Sequence, residues 1–198
     1  MNSDWERILI EAATAPTLAV DTEGTEIKNK KNNYEGTDYR DGTGFAYGIS
    51  IAYRYDGEVK SYYFPIKHER DNVPDEVFKQ LQILIRNHPR IVCHHMQHDI
   101  VALETLGIEV RGNFYCTMLM VHWIDENQIN KGLEAIALKL LGEGKERSPE
   151  FEACLTIFGW TPAFPSEVMS KYAAVDADRT LRCFELILPE FVRQGFDG

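Results

Sequence analysis

Short apolar runs alternating with helix-period segments constrain this chain more than any other property. Thr17-Leu18-Ala19-Val20-Asp21 reads as a buried strand. Phe45 to Tyr55 and Val59 to Pro65 read as two more, joined at Asp56-Gly57, a dipeptide suited to a tight hairpin turn. Ile91-Val92-Cys93 and the stretch near Phe114-Tyr115 complete a set of strands. Helical periodicity predicts helices over 4–13, 74–88, 99–106, 117–124, 131–141 and 166–192, the last with a bend near Pro189. Pro74 suits a first turn and Gly107 a helix end. Strands separated by helices, with one antiparallel hairpin near the start, predict an α/β fold with a mixed sheet. The polar stretch from Gly24 to Gly44 reads as a long loop, and 142–165 gives no clear pattern.

The length of 198 residues suits a single domain over 1–198 with one core. No apolar run approaches the roughly 20 residues needed to span a bilayer, and the first residues lack the pattern of a signal peptide. Cys93, Cys116, Cys154 and Cys183 lie far apart without a C-x-x-C pair, which predicts reduced thiols in an intracellular protein. The formal net charge of −10 argues against a strong electrostatic grip on duplex DNA, since such binders carry a basic excess. Either nucleic acid is not the substrate, or part of the acidity is a site that divalent metal neutralises.

Particular acids favour the second choice. Asp21 and Glu23 are two apart at a strand end, so both side chains point to one side. Asp99 follows a buried strand and opens a helix, where it could equally be an N-cap. Tyr172 and Asp176 are four apart on a helix and share a face. Each has an ordinary reading as a solvated acid. Gathered in one cleft, they would repel and raise one another's pKa unless cations intervened. Carboxylates from separate segments suit Mg²⁺ or Mn²⁺ and, with two ions, phosphoryl transfer.

Three motifs stand in order: Val20-Asp21-Thr22-Glu23; Cys93-His94-His95-Met96-Gln97-His98-Asp99, followed by Ile100 and Leu103; and Tyr172-Ala173-Ala174-Val175-Asp176-Ala177-Asp178-Arg179-Thr180-Leu181. Between them lie Tyr63-Phe64-Pro65-Ile66-Lys67-His68, Thr117-Met118-Leu119-Met120 and Gly132-Leu133-Glu134-Ala135-Ile136-Ala137. Over nearly its whole length the chain resembles the DEDD superfamily of 3′–5′ exonucleases, in the subgroup with a tyrosine in the third motif. It is most similar to the proofreading exonuclease domain of family A DNA polymerases, including phage ones. The resemblance implies an RNase H-like (DnaQ-like) fold, a mixed five-stranded sheet with flanking helices. It implies two divalent metal ions, Mg²⁺ or Mn²⁺, held by Asp21, Glu23, Asp99 and Asp176. By the same resemblance, Asp21, Glu23 and Asp176 hold the ion bearing the attacking water, and Asp99 supports the second. Tyr172 orients that water. Thr22, Ile27 and His95 contact the terminal nucleotides.

The implied substrate is a single-stranded or frayed DNA 3′ end, delivered by a DNA polymerase in cis or in trans, with no membrane involved. The expected location is the cytoplasm of a bacterial cell or phage-infected host. The acidic charge predicts weak DNA binding in isolation. Lys28, Lys30 and Lys31 could meet phosphates or form a solvated charge run, and Ile27 could pack into the core instead. Asp178 turns to another helix face and reads as a surface acid. His95 stands where asparagine is usual and His98 where Phe or Tyr is. His94, His95 and His98 could alternatively bind a transition metal. An exoribonuclease resembling RNase D, whose helical accessory domains are not in this sequence, is the alternative enzyme. An inactive scaffold binding nucleic acid or a polymerase is the alternative from another class.

Overall fold

The computed structural model describes residues 3–25, 27–29, 34–36, 44–144 and 147–196. A five-stranded mixed sheet forms the centre, in the order β5-β4-β1-β6-β7. Strand β1 (Leu18–Gly24) pairs antiparallel with β4 (Ala46–Tyr55), which pairs antiparallel with β5 (Glu58–Pro65). On its other side β1 runs parallel to β6 (Arg90–Cys93), and β6 runs parallel to β7 (Asn113–Cys116). The β4–β5 hairpin closes as the sequence predicts. Asp56 and Gly57 both have positive φ, 51° and 81°, so the turn's twist matches that of the strands.

Alternation along β1 divides the two faces. Leu18 and Val20, with Ile49, Ile51, Tyr53, Phe64 and Ile91, face one core. That core is covered by α1 (Ser3–Thr14), α2 (Asp75–Asn87) and α3 (Met96–Thr105). Glu11 ties α1 to the sheet. Although buried, it accepts hydrogen bonds from Arg7 Nη1 (2.9 Å), Tyr53 Oη (3.0 Å) and Lys60 Nζ (3.0 Å).

Ala19, Ala52 and Val92 face the opposite core. There α4 (Thr117–Ile124), α5 (Leu133–Leu141) and the long α7 (Ser166–Arg193) supply Met120, Ile136, Ala177, Leu181, Phe184 and Ile187. Small residues on both sides, Ala19 and Ala52 against Ala177, let α7 approach the sheet closely. Pro189 lies within α7, which continues to Arg193. A third cluster packs α6 (Pro149–Phe158) and the start of α7 over Tyr47 and Tyr63 at the sheet's end.

The structure differs from the sequence reading in three places. Within Gly24–Gly44, expected to be a loop, β2 (Ile27–Asn29) and β3 (Tyr34–Gly36) pair antiparallel as a separate two-stranded sheet. Three-residue polar strands carry no alternation that would reveal them. The segment 142–165 contains α6, capped by Ser148 Oγ, which accepts from Phe151 N (3.1 Å), with Pro149 in its first turn. Phe151, Cys154, Leu155 and Phe158 give α6 an apolar stripe at helical spacing, which the sequence reading passes over; of these only Phe151 is fully buried. Finally, α3 starts at Met96 rather than Asp99 and ends at Thr105, with Leu106 as its cap. All four cysteines are free thiols, and no described helix is long and apolar enough to cross a membrane.

Candidate active site

Continuing the alternation that points Ala19 at α7, Asp21 and Glu23 point the same way beyond the edge of the apolar core. Asp176 meets them from α7, one turn before Thr180 and next to the fully buried Ala177. One carboxylate oxygen from each of Asp21, Glu23 and Asp176 lies within 4.8 Å of the others. Glu23 is 7% exposed, so part of this charge sits out of water. Three acids this close suit a hard divalent cation, which would take carboxylate oxygens and relieve their repulsion.

Asp99 stands apart from this group of three. It is 4% exposed, and its Oδ1 accepts a hydrogen bond from Thr22 Oγ1 at 2.8 Å. Thr22 is the β1 residue between Asp21 and Glu23, and alternation turns it towards α3. Asp99 is not the alternative N-cap, since it lies inside the first turn of α3 and bonds a side chain instead. The Cys93 thiol at the end of β6 is pushed well up, first by burial and then by the charges of Asp99 and Asp21. Both carboxylates therefore lie beside the C-terminal ends of the parallel strands β1 and β6, where open α/β sheets commonly bind ligands.

Tyr172 is stacked on Phe151 (4.1 Å between ring centroids, 20° between planes), with Trp160 at 5.8 Å. Burial, then the charges of Asp176 and Glu23, push its phenol well above the ordinary tyrosine value, and Arg147 pulls the other way. The hydroxyl therefore keeps its proton and serves as a hydrogen-bond donor.

A second tyrosine borders the acids. Tyr63 Oη and His68 Nε2 are 2.6 Å apart, and His68 Nδ1 is 2.8 Å from the carbonyl of Phe164. A carbonyl only accepts, so Nδ1 carries the hydrogen and Tyr63 donates to Nε2. Burial, followed by the charges of Glu23, Tyr47 and Asp21, keeps this phenol protonated too. Room for it comes from Gly48, where an added Cβ would lie 1.8 Å from Tyr63 Oη. The strand is irregular here. Glu23 pairs with Gly48 but Gly24 with Ala46, leaving Tyr47 as an extra residue.

The histidines of the second motif do not form a metal site. Among the described residues Asp21, Glu23 and Asp176 make up the cluster of possible ligands, and no histidine joins it. His94 Nδ1 is 2.8 Å from Thr117 Oγ1, and burial lowers its pKa to about 4. His95 is exposed and adopts a left-handed backbone (φ 65°, ψ 59°) just before α3. Its ring lies nearly parallel to that of His98, 6.2 Å away, and His98 Nδ1 is 3.9 Å from Asp99 Oδ1. Ile27 is in β2, and its side chain lies outside the described residues, as do those of Lys28, Lys30 and Lys31. Asp178 pairs with Arg182 (3.1 Å) and belongs to the surface, as its spacing predicts. Sequence reasoning missed Arg147, which nothing local distinguishes from other polar residues, and, although it quoted the segment Tyr63 to His68, it missed the contact between its two ends.

Comparison with known proteins gives the chain's family and fold. A family model described as 3′–5′ exonuclease matches residues 2–191. DNA polymerase I of Pseudomonas aeruginosa is 27% identical over 191 residues, which cover 92% of this chain but 19% of the polymerase. Escherichia coli RNase D, an exoribonuclease involved in structured RNA processing, has a similar fold (TM-score 0.66, 15% identity). That match covers 100% of this chain and 45% of RNase D. Brucella melitensis NrnC with bound Mg²⁺ is similar as well (TM-score 0.63, 15% identity), over 95% of this chain and 79% of that one.

Proposed function

The chain belongs to the 3′–5′ exonuclease family, and from that premise we propose that it hydrolyses terminal phosphodiesters at DNA 3′ ends, releasing nucleoside 5′-monophosphates one at a time. The observation that carries this reading is the gathering of Asp21, Glu23 and Asp176 within 4.8 Å, beside a tyrosine whose proton is held on. Members of such a family use divalent metals, and the donor set here is all carboxylate, which fits Mg²⁺ or Mn²⁺. Asp21, Glu23 and Asp176 would hold one ion, with Asp21 and Asp99 serving a second. When bound, the ions supply acidification of water and neutralise charge on the phosphate.

The chain's own groups do the rest. Thr22 fixes the Asp99 carboxylate through its hydroxyl. The Tyr172 O–H donates to the oxygen of the attacking water and orients it. Stacking on Phe151 keeps the phenol in place. His95, exposed at the entrance to α3, offers a hydrogen bond to the terminal nucleotide. Ile27 remains the proposed apolar contact to the terminal bases, and Thr22 lies in the strand beneath them.

We take residues 1–198 as a single exonuclease domain that acts on single-stranded or frayed ends. With a net charge of −10, it would hold DNA weakly alone. A DNA polymerase, in cis or in trans, is the proposed partner that delivers the 3′ end. The identity with a DNA polymerase I supports this. Nanomolar DNA affinity at physiological salt, with a steep salt slope, would count against it.

The decisive assay incubates 3′-labelled and 5′-labelled oligonucleotides with Mg²⁺ or Mn²⁺, alongside EDTA and Asp21→Ala controls. Metal-dependent shortening from the 3′ end, lost in the variant, is the expected outcome. No shortening, or shortening untouched by Asp21→Ala, refutes the reading. An RNase D-like activity is favoured by the fold it shares with that exoribonuclease. Matched DNA and RNA strands in the same assay decide between them.

A further inference from the structure

Arg147 is a cation at the edge of this acidic site that the motifs do not account for. It lies between α5 and α6, directly before the Ser148 cap. Its guanidinium carbon is 5.7 Å from the centre of the Tyr172 ring and 5.8 Å from that of Phe151. Those two rings are themselves stacked, so the guanidinium rests on an aromatic platform that limits the freedom it can lose on binding. Nη1 is 3.5 Å from Glu152 Oε1, a loose ion pair in which both side chains are substantially exposed (42% and 52%).

Two arginines of α7 hold Glu143 and Gly144, at the start of the connection that leads to Arg147. Arg182 binds Glu143 through both nitrogens (2.9 and 2.6 Å), and Arg179 Nη2 donates to the carbonyl of Gly144 (2.8 Å). The buried Arg179 lies three residues from Asp176 on the same helix, so the connection is anchored next to the acids. In an acidic protein, a cation over the tyrosine of the reaction centre has an evident use. A planar guanidinium fork matches phosphate oxygens, and charge-assisted bonds of this kind exceed neutral ones in strength.

We propose that Arg147 is a substrate-contacting residue, binding the scissile phosphate that becomes the 5′-phosphate of the released nucleotide. The proposal rests on the nuclease reading of the site. Tyr172 and Glu152 engage the guanidinium in the free protein, and Glu152 gives way to the phosphate. Removing the contact weakens ligands that carry the phosphate and leaves those without it untouched.

The test compares the parent with Arg147→Met, which keeps an apolar stem over Phe151 and Tyr172, and with Arg147→Lys, which keeps charge but not the fork. Binding of deoxyadenosine 5′-monophosphate and of deoxyadenosine is measured by titration calorimetry with Mg²⁺ present, and kcat and KM are measured on a single-stranded oligonucleotide. Arg147→Met is expected to weaken monophosphate binding roughly tenfold to a hundredfold, the range for a charged hydrogen bond. Deoxyadenosine binding stays at the parent value, kcat/KM falls by a similar factor, and Arg147→Lys recovers part of both. Equal weakening of the two ligands, or no change in either, overturns the proposal and leaves Arg147 a packing residue. A parent without nuclease activity whose monophosphate affinity still depends on Arg147 would sink the nuclease reading and keep the phosphate contact.

Discussion

Replacing Asp176 with asparagine keeps the shape of the side chain and an oxygen acceptor while removing one of three crowded charges. Asp21, Glu23 and Asp176 form three like-charged pairs with ligand oxygens no more than 4.8 Å apart. At that separation each pair costs about 0.9 kcal/mol in a dielectric of about 80 and about 1.7 kcal/mol at about 40. Two of the three acids are only partly exposed and the third is buried, so the true medium lies below that of water. Asp176→Asn removes two of the pairs, which should stabilise the metal-free fold by about 2–3 kcal/mol. For a chain of this size that is a rise in Tm of roughly 4–12 °C.

Metal offsets the difference. An ion at a hundred times its Kd adds about 2.7 kcal/mol to whichever protein can hold it. The parent gains that and the variant, lacking a ligand, gains little. Thermal melts at neutral pH in EDTA and in saturating Mg²⁺ or Mn²⁺ read both halves. The variant should melt higher in EDTA, lose most of the metal-induced rise and be inactive. An Asp176→Asn protein that melts below the parent in EDTA would refute the electrostatic reasoning. A full metal response in the variant would refute the assignment of Asp176 as a ligand.

Three further outcomes follow from the same geometry. Burial holds His68, His88 and His94 below the ordinary histidine value, His94 at about 4, so each is neutral when folded and takes up its proton more readily when unfolded. The stability they confer is complete above about pH 6.5 and lost as pH falls towards 4, on the order of 3 kcal/mol for His94 alone; a flat Tm between pH 7 and 4.5 would contradict this. Gly48→Ala drives a methyl group into Tyr63, whose hydroxyl His68 holds, and should cost about 1–3 kcal/mol of stability by denaturant melt; a neutral result would mean the ring can move. Thr22→Val removes the hydroxyl that serves the buried Asp99 and should cost about 1.5–3 kcal/mol. That loss should shrink in an Asp99→Asn background, and equal losses in both would show the two residues are not coupled.

The candidate site was legible where chemistry followed a period. Asp21 and Glu23 share a face because strands alternate, and Tyr172 and Asp176 because a helix returns after four residues. Asp99 was found as an acid, but its partner was not, because the hydrogen bond from Thr22 joins residues 77 positions apart. Arg147 escaped for the same reason, as it reaches Tyr172 across the fold from an irregular connection. The sheet and its hairpin were readable from apolar runs and Asp56-Gly57. Missing were α6, whose apolar stripe at helical spacing the sequence reading passes over, and the three-residue pair β2–β3. The extra residue at Tyr47 follows from the pairing of β1 with β4, which no single strand encodes.

The left-handed backbone at His95 also acts as a filter on sequence drift. Asparagine, the residue that the family resemblance places there, tolerates this conformation best among non-glycine residues, and histidine is enriched in it too. Their codons differ at the first base, so one point mutation connects two side chains that both fit the backbone. Valine, isoleucine or threonine would strain it by about 1–2 kcal/mol. The position can therefore exchange an amide for an imidazole at the mouth of the site without disturbing α3. The backbone decides which side chains the site can try, and an unusual histidine there is one of the few changes open to it.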